Sequence, residues 1–246
     1  MIYNQQEFEI RMEWGLKGVE MFAPVSDVMI IVDVLSFSTC VDIATQRGAV
    51  IYPYRWKDES AIAYAKTVGA ELADFKRKFT DGFSLSPTSL CTIQSGTKLV
   101  LSSPNGATLS LSTGNIPTLC GSLRNAKAVA ACAKTFGKRI SIIAAGEQWP
   151  DKSLRVSFED AVGAGAVISY VEGKLSPESK ASLAVFESSK ESLLSDIKKC
   201  SSGKELIDRG FEKDIILACD FNASENVPVL EGGCFYKRFL DKTAIS

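Results

Sequence analysis

Residues 29–45, MIIVDVLSFSTCVDIAT, carry an unbroken apolar run into one acid, Asp33, and then into hydroxyls at Ser36, Ser38 and Thr39. Apolar residues resume at helical spacing, at Val41, Ile43 and Ala44. The order apolar run, polar turn, helical period reads as a buried strand followed by a helix start. In open α/β sheets such a strand end, with helix amides beside it, is where anions and metals bind. A carboxylate next to anion-binding hydroxyls points to phosphate chemistry with a divalent metal.

The rest of the chain repeats the theme. Strands are expected over Met29–Val34, Ala49–Tyr54, Lys98–Ser102, Thr118–Gly121, Arg139–Ala145 and Asp214–Cys219. Helices are expected over Thr39–Arg47, Asp58–Val68 with Ser60 as a cap, Asn125–Lys134, Ser157–Tyr170 and Ser179–Lys199, the last amphipathic and packing internally or on a second copy. The stretch DFKRKFTDGFSLSPT (74–88) lacks periodicity and reads as a loop with a small basic cluster. Strands alternating with helices predict an α/β layered fold. Polar turns follow the strands at Asp33, at 102–106 and at Gly146–Glu147, so these turns are expected to converge at one sheet edge.

Composition removes several chemistries. There is no histidine among 246 residues, which excludes Ser-His-Asp and Cys-His hydrolases, histidine phosphatases and His-rich zinc sites. Catalysis must use carboxylates, hydroxyls, thiols, Lys, Arg or an oxygen-bound metal, and Asp and Glu are the natural ligands of magnesium. A formal net charge of -1 gives no basic excess for nucleic acid. No apolar run is long enough to span a bilayer and no signal-peptide pattern opens the chain. Seven cysteines without a CxxC pair suit reduced, buried thiols. The expectation is a soluble cytoplasmic protein working on a small molecule.

Each candidate site residue has a plainer reading beside it. Asp33 ends an apolar strand as the nucleophilic Asp of haloacid dehalogenase phosphatases does, but the acid/base Asp two residues on is replaced by Leu35. Alternatively Asp33 only ends the strand while Ser38 or Thr39 caps the helix. The turn SSPNGA (102–107) can aim consecutive amides at an anion or simply reverse the chain. Glu159 and Asp160 open a helix with capping-box spacing from Ser157, which suits the helix dipole; they equally suit delivery of a metal ligand to the sheet edge. Gly163 and Gly165 lie inside that helix and make no dinucleotide fingerprint. Cys40 to Arg47 and Cys132 to Arg139 are each one residue too long for a cysteine-phosphatase loop.

Taken in order, IIVDVLSFSTC, DGFSLSP (81–87), LVLSSPNGA (99–107), CGSLRNAKAVA (120–130), IIAAGEQ (142–148), FEDAVGAGAVI (158–168) and GFEKDIILACD (210–220) with VPV (227–229) resemble the 2-phosphosulfolactate phosphatase family. The resemblance implies a three-layer α/β/α fold with a mixed sheet, over residues 1–246 as a single domain or two tightly packed lobes. It also implies magnesium-dependent hydrolysis of a phosphate ester at the α-carbon of a small acid, with 2-phosphosulfolactate as substrate. On this reading Asp33, with Glu159 or Asp160, holds the metal and Glu147 is the acid/base. Ser36, Ser38, Thr39, Asn105, Gly106 and Asn125 bind phosphate, and Arg124 neutralises it. The chain departs from the family pattern at Ser36, where an arginine is usual, and in the loop ahead of Pro87. Lys76, Arg77 or Arg124 are the candidate replacement cations, the first two on an expected exposed loop. A catalytically silent anion-binding homologue is the other reading. A nucleotide-binding enzyme is a third, without a Walker loop to support it.

Overall fold

The chain is seen in a computed structural model that describes residues 2–79 and 81–238, so Met1, Thr80 and residues 239–246 of the expected domain lie outside it. Strand β2 (Val28–Val32) is buried along its whole length. Val28, Ile30 and Val32 enter one apolar cluster, with Val129, Val162 and Ala166; Met29 and Ile31 enter another, with Val19, Phe22 and Leu109. A strand apolar on both faces needs helices on both, and that requirement produces three layers. Helices α1 (Gly15–Phe22) and α5 (Gly106–Ser110) cover one face. Helices α6 (Ala126–Ala133) and α7 (Phe158–Ile168) cover the other, with α8 (Pro177–Ser189) packed against α7.

The remaining strands are β1 (Ile10–Trp14), β3 (Val50–Tyr54), β4 (Glu71–Leu72), β5 (Lys98–Ser102), β6 (Thr118–Gly121), β7 (Ile140–Ala144), β10 (Pro228–Glu231) and β11 (Cys234–Lys237). Nine strands form one mixed sheet in the order β1-β7-β2-β6-β10-β11-β3-β5-β4. The first four are mutually parallel, with Ile30 opposite Ile142 on one side and Leu119 on the other. The last three are parallel too, with Ile51 opposite Leu99. Between them the β10–β11 hairpin is antiparallel to both neighbours. A third cluster, around Phe37, Val41, Ile51, Leu99 and Phe235, packs α2 (Phe37–Gln46) onto this second half. The fold is three-layer α/β/α. A separate short ribbon, β8 (Glu147–Gln148) with β9 (Leu154–Arg155), extends from the end of β7.

Three expected elements change. Residues 214–219 are not a strand but part of helix α11 (Glu212–Ala218), in which Ile215 and Ala218 are buried while Ile216 is 47% exposed. The five-residue apolar run IILAC (215–219) does not distinguish the two periods by itself. The stretch 179–199 is two helices, α8 and α9 (Leu193–Lys199). At the break the Ser192 hydroxyl bonds Ser189 O and the Asp196 carboxylate, the local competition that weakens helices at serine. In α3 (Ser60–Val68) the carboxylate of Asp58, not Ser60, receives the Ser60 amide at 2.9 Å. Among the described residues no helix is long and apolar enough to cross a membrane.

The contact of α7 with α8 depends on having no side chain at Gly165, where an added Cβ would lie 2.1 Å from the Ser182 carbonyl oxygen. Backbone cannot yield as a flexible side chain does, so Gly165→Ala is expected to destabilise the protein by about 1–3 kcal/mol or more through overpacking, read as a lowered midpoint in urea unfolding.

Candidate active site

Turns beyond the ends of β2, β5 and β7 meet, and hydrogen bonds between them fix the meeting. Asp33, immediately after β2, accepts the Phe37 amide on Oδ1 at 3.1 Å and the Gly106 amide on Oδ2 at 2.9 Å. A Cβ at Gly106 would lie 2.7 Å from that oxygen and 2.4 Å from the Phe37 ring, so only glycine allows the approach. Asn105 donates its side-chain amide to Glu147 Oε2 at 2.9 Å, tying the β5 turn to the β7 turn. Asp160, at the start of α7, receives the Val34 amide at 2.7 Å on one oxygen, and the Gly146 amide at 2.9 Å and the Ser157 hydroxyl at 2.8 Å on the other.

A cleft of about 250 Å³ opens over this junction. Asp33, Glu147, Ser36 and Asn105 line it together with three cations, Lys57, Arg77 and Arg209. Arg77 donates to Ser36 Oγ at 3.0 Å and to the buried Asp214 carboxylate at 3.1 Å. The guanidinium thus reaches, from loop 73–86, the very position where the family resemblance places an arginine.

Other expected site residues brace this cleft or lie away from it. Ser38, fully buried, accepts the Asp33 amide at 2.8 Å, and Thr39 donates to Val34 O at 2.8 Å, so both shape the Asp33 turn from behind. Gly106 contributes its amide to Asp33. Arg124 does not line the cleft: it is paired with Asp42 at 3.2 Å and Asp220 at 3.3 Å and donates to Leu217 O. Asn125 is fully buried and ties Ser122, Cys120 and Asn226 together. Glu159 is buried, accepts the Cys200 thiol at 3.3 Å and faces a neighbouring groove with Asp196. Arg77, a candidate replacement cation on an expected exposed loop, is instead largely buried, while Lys57 and Arg209 were not singled out in the sequence because nothing local to them marks a cation that lines a site.

Packing acids together has electrostatic consequences. Burial pushes the Glu147 carboxyl up to about 7, and the negative charges of Asp33 and Glu159 add to the shift. Burial raises Asp33 too, opposed by the Phe37 and Gly106 amides and reinforced by Glu159. Asp160 is raised well above the ordinary range by burial and by the charges of Asp33 and Glu159. The site therefore holds more negative charge than its surroundings stabilise, a state that a proton or a cation relieves.

Carboxylates of raised proton affinity facing a cationic wall at strand ends suit an enzyme that works on small anions. The model of the family described as 2-phosphosulpholactate phosphatase matches residues 19–233, and the chain belongs to that family; it is a phosphatase, a phosphoric monoester hydrolase. It is also 26% identical over 213 residues to the 2-phosphosulfolactate phosphatase of Methanocaldococcus jannaschii, covering 82% of this chain and 88% of the relative.

The raised Glu147 carboxyl sets a stability trend in metal-free buffer. Its folded-state affinity for a proton exceeds the unfolded one, so its stabilising contribution is full below about pH 4.5 and is lost as pH rises through about 7. Glu147→Gln is expected to be more stable than the parent at pH 8 and about equal to it near pH 4.5, measured by thermal unfolding across that range.

Proposed function

We propose that the protein is a magnesium-dependent phosphatase of small 2-phospho acids, with 2-phosphosulfolactate as its substrate and sulfolactate and phosphate as products. The observation that carries the reading is that Asp33 and Glu147 line one cleft together with Lys57, Arg77 and Arg209. The family membership and the name of the Methanocaldococcus jannaschii relative, a 2-phosphosulfolactate phosphatase, support the substrate.

The residues present fit a magnesium ion. Among the described residues no three His, Cys, Asp or Glu side chains form a metal cage. Magnesium does not need one, since it typically takes one or two carboxylates with water and substrate phosphate. Each Asp33 oxygen accepts one amide and keeps a lone pair directed away from it, whereas one Asp160 oxygen already accepts two donors. Asp33 would therefore hold the ion, with Glu159 adding charge from behind and Asp160 acting as a staple. A bound magnesium ion offsets charge on phosphoryl oxygens.

The protein's own groups supply the rest. Ser36 and Asn105 line the cleft and can donate hydrogen bonds to a bound anion. Whichever oxygen attacks phosphorus, the departing alcohol must gain a proton. Glu147, with a carboxyl raised to about 7 and oriented by Asn105, carries a proton in a substantial share of molecules at neutral pH and can deliver it to the ester oxygen.

A phosphate-release assay with and without magnesium tests the reading. Asp33→Asn is expected to lose magnesium-dependent turnover, and Glu147→Gln to lose about 10²–10⁴-fold in kcat. Asp160→Asn is expected to act on folding, lowering stability by about 1–3 kcal/mol for each donor left without an acceptor. Thermal stabilisation of the parent by 2-phosphosulfolactate with no phosphate released would replace the enzymatic reading with one of anion binding.

A further inference from the structure

Three cations reach the cleft from three segments, but only one is held rigidly. Lys57 follows β3 and Arg209 follows helix α10 (Ser201–Asp208), where Arg209 makes an exposed pair with Glu205. Arg77, with a side chain 11% exposed, has its Nη1 on Asp214 at 3.1 Å and its Nη2 on Ser36 Oγ at 3.0 Å. Asp214 is itself fixed by the Ser86 hydroxyl at 2.7 Å and the Thr88 amide at 3.0 Å. The Arg77 guanidinium also lies over the Phe211 ring, 5.9 Å from its centroid, and Phe79 packs on that ring at 4.6 Å.

A guanidinium carries five N–H donors, and these two bonds leave others for the cleft that Arg77 lines. A fork already locked in place loses little freedom when an oxyanion docks on it. Arg77 also stands in the same cleft as the acids assigned to phosphate chemistry, with Lys57 within electrostatic reach of Arg77, Arg209, Asp33 and Glu147. The cleft thus brings cations and raised carboxylates within electrostatic reach of one another, and Arg77 is the cation anchored on buried groups.

We infer that Arg77 is the specificity-determining residue of the site: its Asp214-anchored guanidinium grips the substrate's second acidic group, a carboxylate or sulfonate, while the phosphate lies toward Asp33 and Glu147. The inference rests on the reading of this cleft as the phosphatase site. Lys57 and Arg209 add attraction at the rim, and Ser36 leaves the room that the guanidinium enters.

The test separates anion grip from chemistry. Calorimetric binding of sulfolactate, of malate and of inorganic phosphate is measured for the parent, Arg77→Met and Arg77→Lys, each checked for folding by thermal unfolding. The loss of a charge-assisted pair predicts that Arg77→Met binds sulfolactate or malate about tenfold or more weakly, with a clearly smaller loss for phosphate. The ratio of the two organic acids shows whether sulfonate or carboxylate is preferred. Arg77→Lys, which keeps the partner of Asp214 but not the fork, is expected to fall between, and it carries the test if Arg77→Met fails to fold. In turnover, KM for 2-phosphosulfolactate is expected to rise far more than KM for phenyl phosphate, which has no second acid. Equal affinities in parent and variants, equal losses for phosphate and organic acids, or no binding of either organic acid by the parent would overturn the inference. Arg77-dependent binding without turnover by the parent would instead overturn the enzymatic reading and leave the grip standing. Turnover with no Arg77 dependence would do the reverse.

Discussion

One buried carboxylate holds the site together. Asp160 joins the amide of Val34, the amide of Gly146 and the hydroxyl of Ser157, three points brought from the end of β2, the end of β7 and the start of α7. Val34 follows Asp33, and Gly146 precedes Glu147, so Asp160 ties together the two turns that carry those carboxylates. Its burial is costly for a charged group unless its oxygens are bonded, and three donors meet that requirement.

The sequence disclosed the parts of this arrangement that are local. β2 was legible because its short apolar run ends in polar turn residues and gives way to a helical period, and Asp33 because it interrupts that run. The Asn105-Gly106 turn and Glu147 were legible as strand ends. β1 was not, since IRMEW mixes Arg11 and Glu13 with its apolar residues; Arg11 is fully buried, donating to Val25 O and lying over Phe22. The hairpin of β10 and β11 was hidden by Pro228 and the Gly232-Gly233 pair.

Cations were the hardest to place because their direction depends on distant partners. Arg124 sits beside a strand end, as a phosphate ligand should, yet Asp42 in the middle of α2 captures it, and Ser224 and Asn226 complete that buried network. Arg77 sits in a stretch with no pattern, and Asp214, in a helix first read as a strand, turns it inward. Both assignments depend on an acid more than eighty positions away in the chain, and composition or spacing carries no information at that range. The resulting cleft is lined by both carboxylates and cations.

The hairpin at the middle of the sheet bears on how the protein comes to exist. The two parallel groups share no strand pairing with each other; Val229 meets Leu119 and Phe235 meets Ile51 only through residues 228–237. During synthesis both groups are complete before the strands that unite them emerge, so β6 and β3 wait with open, apolar edges. Such edges invite pairing with other chains, and contacts between segments so far apart form slowly. The sheet is therefore completed only by a hairpin that lies near the end of the described residues and joins two groups formed from earlier ones.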